Sequence, residues 1–136
     1  MASDAAGAVK NSLGRCLHNG DVFGTFYRIF LDSDPRIPKL FAETDWEEQK
    51  RLLRHGVNSV IGFYEGSATG TSALERIRFT HGRERLNIPP DLYGRWVDSM
   101  IGAVRELDPQ FDPLLEQSWR DVLNHGTGFV KEGYEE

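Results

Sequence analysis

The apolar residues of this chain recur at helical spacing, segment after segment, and nowhere alternate with polar residues long enough to form a strand between turn signals. A stripe of that spacing can be buried only against another element, so the expected class is all-α, helix packed on helix. Asn19-Gly20 ends a first helix over 9–17, and Asp21 is placed to cap a second that carries Val22, Phe23, Phe26, Tyr27, Phe30 and Leu31. Pro35 and Pro38 limit 34–41 to a short helix or tight turn, because proline lacks an amide donor and restricts its predecessor.

Beyond that corner, Thr44 and Glu47 have capping-box spacing and open a helix with Trp46, Leu52, Leu53, Val57, Val60, Ile61 and Tyr64. The small polar run 66–71 reads as a loop, after which Leu74, Ile77 and His81 share one helical face. Asn87-Ile88-Pro89-Pro90 makes the next break, with Pro90 suited to the first turn of a helix bearing Leu92, Tyr93, Trp96, Met100 and Val104. Asp108-Pro109 closes that helix. Asp112-Pro113 starts the last one, whose apolar face is Leu114, Leu115, Trp119, Val122 and Leu123 and which Gly126 and Gly128 weaken. No repeat or linker divides the 136 residues, so a single domain over 1–136 is expected.

With 16 basic against 21 acidic residues and a formal charge of -5, neither a nucleic-acid backbone nor an anionic lipid surface is expected as partner. Cys16 is the lone cysteine; it suits a small buried hydrophobe in a reducing cytoplasm and supports no internal disulfide or cysteine metal cluster. The opening MASDAAGAVK has no basic segment followed by an apolar run, and no stretch approaches the roughly 20 apolar residues of a membrane helix. A soluble cytoplasmic protein is expected. The four histidines lack zinc-protease spacing and belong to no serine or cysteine triad signature. Gly62, Gly66 and Gly70 lack the strand, lysine and hydroxyl of a phosphate loop, so no catalytic residue is assigned.

His81 ends an apolar helical face and is followed by Gly82 and a polar loop. A neutral imidazole there can ligate a metal; a core histidine or a helix-end cation are the plainer alternatives. Tyr27 interrupts an aromatic face with a hydroxyl that needs a partner if buried. Gln49, on a stripe with Trp46, Leu53, Val57 and Val60, either supplies that partner or lies solvated at the stripe's edge.

Taken in order, these motifs resemble the globin family, especially bacterial single-domain haemoglobins and the globin module of flavohaemoglobins, over nearly the whole chain. Phe26-Tyr27 with Phe30, Asp34-Pro35 and Lys39-Leu40-Phe41 resembles the second helix, the proline corner and the phenylalanine that wedges against haem. The stretch 45–60 resembles the distal helix, with Gln49 facing the ligand and Leu53 one turn on; a register shifted by one residue would place Glu48 and Leu52 there instead. Leu74, Ile77 and His81 resemble the proximal helix, Ile88, Pro90, Tyr93 and Trp96 the segment after it, and Trp119 the tryptophan of the last helix. The stretch from His81 to Tyr93 departs from the flavohaemoglobin type by two extra residues, and Glu132 is a poor counterpart of that type's last-helix glutamate, so its peroxidase-like role is not carried over.

The resemblance implies a globin fold of about six to eight helices around a haem pocket, holding haem b (iron protoporphyrin IX). His81 would be the iron ligand, with Phe41, Leu53, Ile77, Ile88 and Tyr93 lining the cofactor and Tyr27 and Gln49 meeting the gas. Lys50 and Arg54 would lie near the haem edge and His55 would face outward. Reversible binding of a diatomic gas (oxygen, nitric oxide or carbon monoxide) is the function so implied. A nitric oxide dioxygenase or nitrite reductase served by a separate reductase, and a haem-free sensor or interaction module, are the alternatives. Either a monomer or a homodimer is compatible with this reading.

Overall fold

The computed structural model describes residues 2–135. It contains seven helices among them and no strand: α1 (Ala2–Asn19), α2 (Val22–Asp32), α3 (Ile37–Leu40), α4 (Trp46–Tyr64), α5 (Ala68–Thr80), α6 (Leu92–Leu107) and α7 (Pro113–Glu132). No helix among the described residues is long and apolar enough to cross a membrane.

Helix starts follow the capping acids. Asp21 accepts from the Gly24 amide at 3.0 Å and Asp112 from Leu115 at 2.8 Å, satisfying donors that an isolated first turn leaves orphaned. At α4 the cap is Asp45 and not the expected Thr44. The Asp45 carboxylate reaches two amides, Glu47 at 3.1 Å and Glu48 at 3.3 Å, whereas the Thr44 amide closes a turn onto the Phe41 carbonyl. Helix α1 begins seven residues before the expected span, in an alanine-rich stretch of high helix propensity that buries Ala6 as well as Val9. The expected loop over 66–71 shrinks to a turn, because Ser67 caps α5 through the Gly70 amide at 3.2 Å and Gly66 supplies the positive φ of 81°. Pro90 lies just ahead of α6 rather than in its first turn: the Leu92 and Tyr93 amides donate to the carbonyls of Pro89 and Pro90.

One apolar core joins the helices, centred on Phe26, Ile37, Leu74, Met100, Ile101, Trp119 and Leu123. Leu52 and Leu114, expected on apolar faces, are 47% and 78% exposed. Each directly precedes a buried leucine, Leu53 or Leu115, and so sits a hundred degrees or so round the helix from the core. Neither Gly126 nor Gly128 ends α7. At Gly126 the helix lies against Val60 of α4, where a Cβ would come within 2.8 Å of Val60 Cγ1.

Helices α4 and α5 touch backbone to backbone. A Cβ on Gly70 would stand 2.7 Å from the Gly62 carbonyl carbon and from the Phe63 nitrogen, whereas one on Gly62 would meet the Gly70 Cα at 3.3 Å. Gly70→Ala is therefore expected to cost about 1–3 kcal/mol and Gly62→Ala less, read as a larger drop in urea midpoint for the first variant.

A polar knot ties α1 to α7 and to the end of α6. The buried Asp108 carboxylate accepts from Ser12 Oγ at 2.6 Å, from Arg15 Nε and Nη2 at 2.7 and 2.9 Å, and from the Gln110 amide at 2.9 Å. Ser12 Oγ in turn accepts from Trp119 Nε1 at 2.9 Å. Burial alone would raise the Asp108 pKa, but the hydrogen bonds from Arg15, Ser12 and Gln110, with the Arg15 charge, hold it below the ordinary carboxylate value. A depressed folded-state pKa stabilises fully above the unfolded value of about 4 and is lost as pH falls through the folded value. Urea midpoints should accordingly fall on acidification below about pH 4, and Asp108→Asn should start lower at pH 7 and show a shallower fall.

Candidate functional site

The residues singled out in the sequence form two groups, one around Tyr27 of α2 and one around His81 at the end of α5. The first is aromatic and polar. Tyr27, buried on α2, lies edge-on to Phe26 at 4.9 Å, Phe41 at 5.6 Å and Trp46 at 5.2 Å between ring centres. Phe41 also meets Phe30 at 6.3 Å and Trp46 at 5.8 Å, so the α3–α4 turn is held by rings on both sides.

Gln49 Nε2 donates to the Tyr27 hydroxyl at 3.0 Å. That bond decides between the two readings of Gln49 left open by the sequence: the amide is half-buried and partnered. It also fixes the register of α4, since Leu53 is buried while Leu52 is exposed and Glu48 turns outward to pair with Arg51. Burial pushes the Tyr27 phenol up from its ordinary pKa, against the weaker opposing effect of the Gln49 hydrogen bond. Tyr27 is thus a neutral phenol whose oxygen already accepts a bond and whose proton remains available to donate.

The second group surrounds His81, which caps the C-terminus of α5. Its amide donates to the Ile77 carbonyl at 3.0 Å and its carbonyl accepts from the Ile88 amide at 3.2 Å. Thr80 Oγ1 donates to the Ile77 carbonyl at 3.2 Å and stands 3.2 Å from His81 Nδ1. A hydroxyl has one proton; spent on Ile77, it leaves the Thr80 oxygen to accept from Nδ1–H. In that arrangement Nε2 is the unprotonated nitrogen, the tautomer a metal requires; with the Thr80 proton on Nδ1 instead, the ring proton would sit on Nε2. Burial lowers the His81 pKa below its usual value, a hydrogen bond to the Ile77 backbone works against that, and the net shift favours the neutral ring.

Ile77 and Tyr93 are half-buried against the core, as is Phe41, and Ile88 is half-buried in the loop between α5 and α6. Burial pushes the Tyr93 phenol up to about 12. Glu132 lies 3.8 Å from Arg78 Nη1. Lys50 is bound to Asp21 at 3.0 Å and to Glu47 at 3.5 Å, tying α4 to the cap of α2, while Arg54 and His55 are exposed. Thr80 and Trp46 take part without having been assigned a role. Thr80's position directly before His81 was the available signal; Trp46 was visible only as a member of an apolar stripe.

No family model and no curated protein matches the chain. A solved structure does: a protein from Pseudomonas aeruginosa PAO1, described as structurally highly homologous to a human hemoglobin, superposes with a TM-score of 0.93. The two share 38% identity over 97% of this chain and 99% of that one. This chain belongs to the globin family.

In this globin, α2 and α4 carry Tyr27 and Gln49, and α5 carries His81. Burial shifts both titratable groups towards their neutral forms, raising the Tyr27 phenol and lowering the His81 imidazole. The His81 imidazole should titrate below its usual pKa of about 6.5, with its proton on Nδ1 above that point, as read from ring nitrogen shifts in an NMR titration. A Thr80→Val variant should lose the Nδ1 preference and populate the other tautomer more.

Proposed function

We propose that this globin holds haem b through His81 Nε2 and reversibly binds oxygen or another diatomic gas on the side of Tyr27 and Gln49. The observation that carries the reading is the placing of His81: a half-buried imidazole at the end of α5 whose Nδ1 lies 3.2 Å from Thr80 Oγ1, which leaves Nε2 to act as the donor when Nδ1 holds the proton. The donor set fits the group. The chain offers one nitrogen donor, His81, and half-buried apolar or aromatic side chains at Phe41, Ile77, Ile88 and Tyr93, with Leu53 buried. Haem, when bound, supplies an iron that takes an imidazole on one side and a small diatomic molecule on the other.

The protein's own residues would then do three things. Thr80 orients the His81 ring and sets its tautomer. The apolar lining excludes water from the macrocycle. Gln49 holds the Tyr27 oxygen so that the phenol proton is free for a gas molecule bearing partial negative charge, a charge-assisted bond of about 1 kcal/mol or somewhat more. A less polar ligand such as carbon monoxide gains less from the same donor.

The test is the visible absorption spectrum of the haem-reconstituted protein, ferric and ferrous, with and without oxygen or carbon monoxide. A Soret band that shifts with ligand and is lost or altered in His81→Ala is expected; a folded protein that takes up no haem would overturn the reading. Tyr27→Phe should speed oxygen dissociation about fivefold or more while changing carbon monoxide dissociation less. Equal oxygen dissociation rates in the two proteins would remove Tyr27 from the gas site.

A further inference from the structure

After α7 the chain turns back onto the loop that joins His81 to α6. Gly133 is buried so close to the Arg78 side chain that no Cβ would fit there. The Tyr134 carbonyl accepts from the Arg83 amide at 2.7 Å, and the Tyr134 phenol donates to Asn87 Oδ1 at 2.6 Å. Glu135 pairs with the Arg83 guanidinium at 2.9 Å. One turn earlier, the Phe129 carbonyl accepts from Arg78 Nη1 at 3.0 Å, with the guanidinium 4.6 Å from the centre of the Phe129 ring.

Asn87 is where this loop reverses. It is the non-glycine residue found at positive φ, 54°, a left-handed conformation that asparagine tolerates better than most residues but not without cost. The reversal returns the chain to the end of α5, whose last carbonyls have no partner within the helix. The Leu86 amide donates to the Thr80 carbonyl at 3.0 Å, the Asn87 amide to Gly82 at 2.9 Å, and the Ile88 amide to His81 at 3.2 Å. The loop thus closes the helix end that carries both His81 and its Nδ1 partner Thr80. Its turning residue is gripped from outside by Tyr134.

We propose that Asn87 and Tyr134 are positioning residues for His81: their hydrogen bond holds the reversed loop on the end of α5, and the closed helix end holds Thr80 and the imidazole in one geometry. The purpose of that positioning rests on the reading of His81 as the haem ligand; the positioning itself concerns the protein alone. Left to itself, a helix end with unsatisfied carbonyls frays, and a frayed end would release Thr80 from Nδ1.

Three variants of the full chain separate this from simple support of the fold. Asn87→Gly keeps the left-handed backbone and removes the side-chain acceptor; Tyr134→Phe keeps the ring and removes the donor; Asn87→Asp keeps an acceptor oxygen and is the rescue. The readouts, taken without haem, are the ring nitrogen shifts of His81 and amide hydrogen exchange along the chain, with urea midpoints alongside. Each single loss should move the His81 ring shifts and raise exchange at Leu86, Asn87 and Ile88 about fivefold or more, leaving α1 unchanged. The double variant should show no more than either single one, and Asn87→Asp should restore the wild-type pattern. His81 ring shifts that stay put in both single variants would overturn the proposal, as would exchange that rises evenly through all helices. A chain that shows the ring shifts but takes up no haem refutes the proposed function and leaves the positioning standing. A chain that binds haem while its ring shifts ignore both variants does the reverse.

Discussion

The place where Gly70 meets the backbone of Gly62 and Phe63 leaves no room for a side chain, and the geometry of the candidate site follows from it. Two helices that touch through their backbones approach more closely than side chains would allow, which sets where their other ends lie. Gln49 precedes the contact by 13 residues on α4, about 20 Å of helix, and His81 follows it by 11 on α5, about 16 Å. Both groups sit on the far arms of one hinge. A change in how the helices cross at the glycines would displace Gln49 and His81, which lie at the helix ends away from the contact.

The rest of the molecule is built to hold that hinge from outside. Asp108, Ser12, Arg15 and Trp119 bind α1 to α7 and to the end of α6 with fully engaged polar groups, and α7 presses Gly126 against Val60 on the back of α4. The candidate site is made differently. Most of its side chains are half-buried, and burial shifts its titratable members, Tyr27, His81 and Tyr93, further towards their neutral forms. Several charges on these helices are paired: Lys50 with Asp21, Glu48 with Arg51, Arg36 with Asp34 and Asp91. The setting around Tyr27 is mostly apolar, with one phenol proton left to give.

Much of this was legible in the chain. The periodicity gave the helical class, and proline-acid pairs marked the start of α7 and the α2–α3 corner because those residues act locally, through a missing amide or a side-chain acceptor within reach. The same locality explains the misses. Thr44 and Asp45 both offer a cap, and only the path of the incoming turn selects Asp45. Gly62, Gly66 and Gly70 are alike in the sequence, yet one supplies a positive φ and the other two a helix crossing. Leu52 and Leu114 read as apolar face residues because periodicity alone does not say which of two adjacent leucines points inward.

The sequence by itself determined the identity and order of the groups: a phenol on the second helix, an amide on the long fourth one, a histidine at the end of the fifth, and the stripes that bury their neighbours. Those properties depend on spacing of a few residues, which local backbone geometry converts directly into a helical face. Only the tertiary structure decided that the Gln49 amide donates to Tyr27 across 22 positions and that Tyr134 returns across 47 positions to hold Asn87. Hydrogen bonds are short and directional. Whether two distant side chains meet at 3 Å or less is settled by how the helices between them cross, and no local pattern in the chain carries that information.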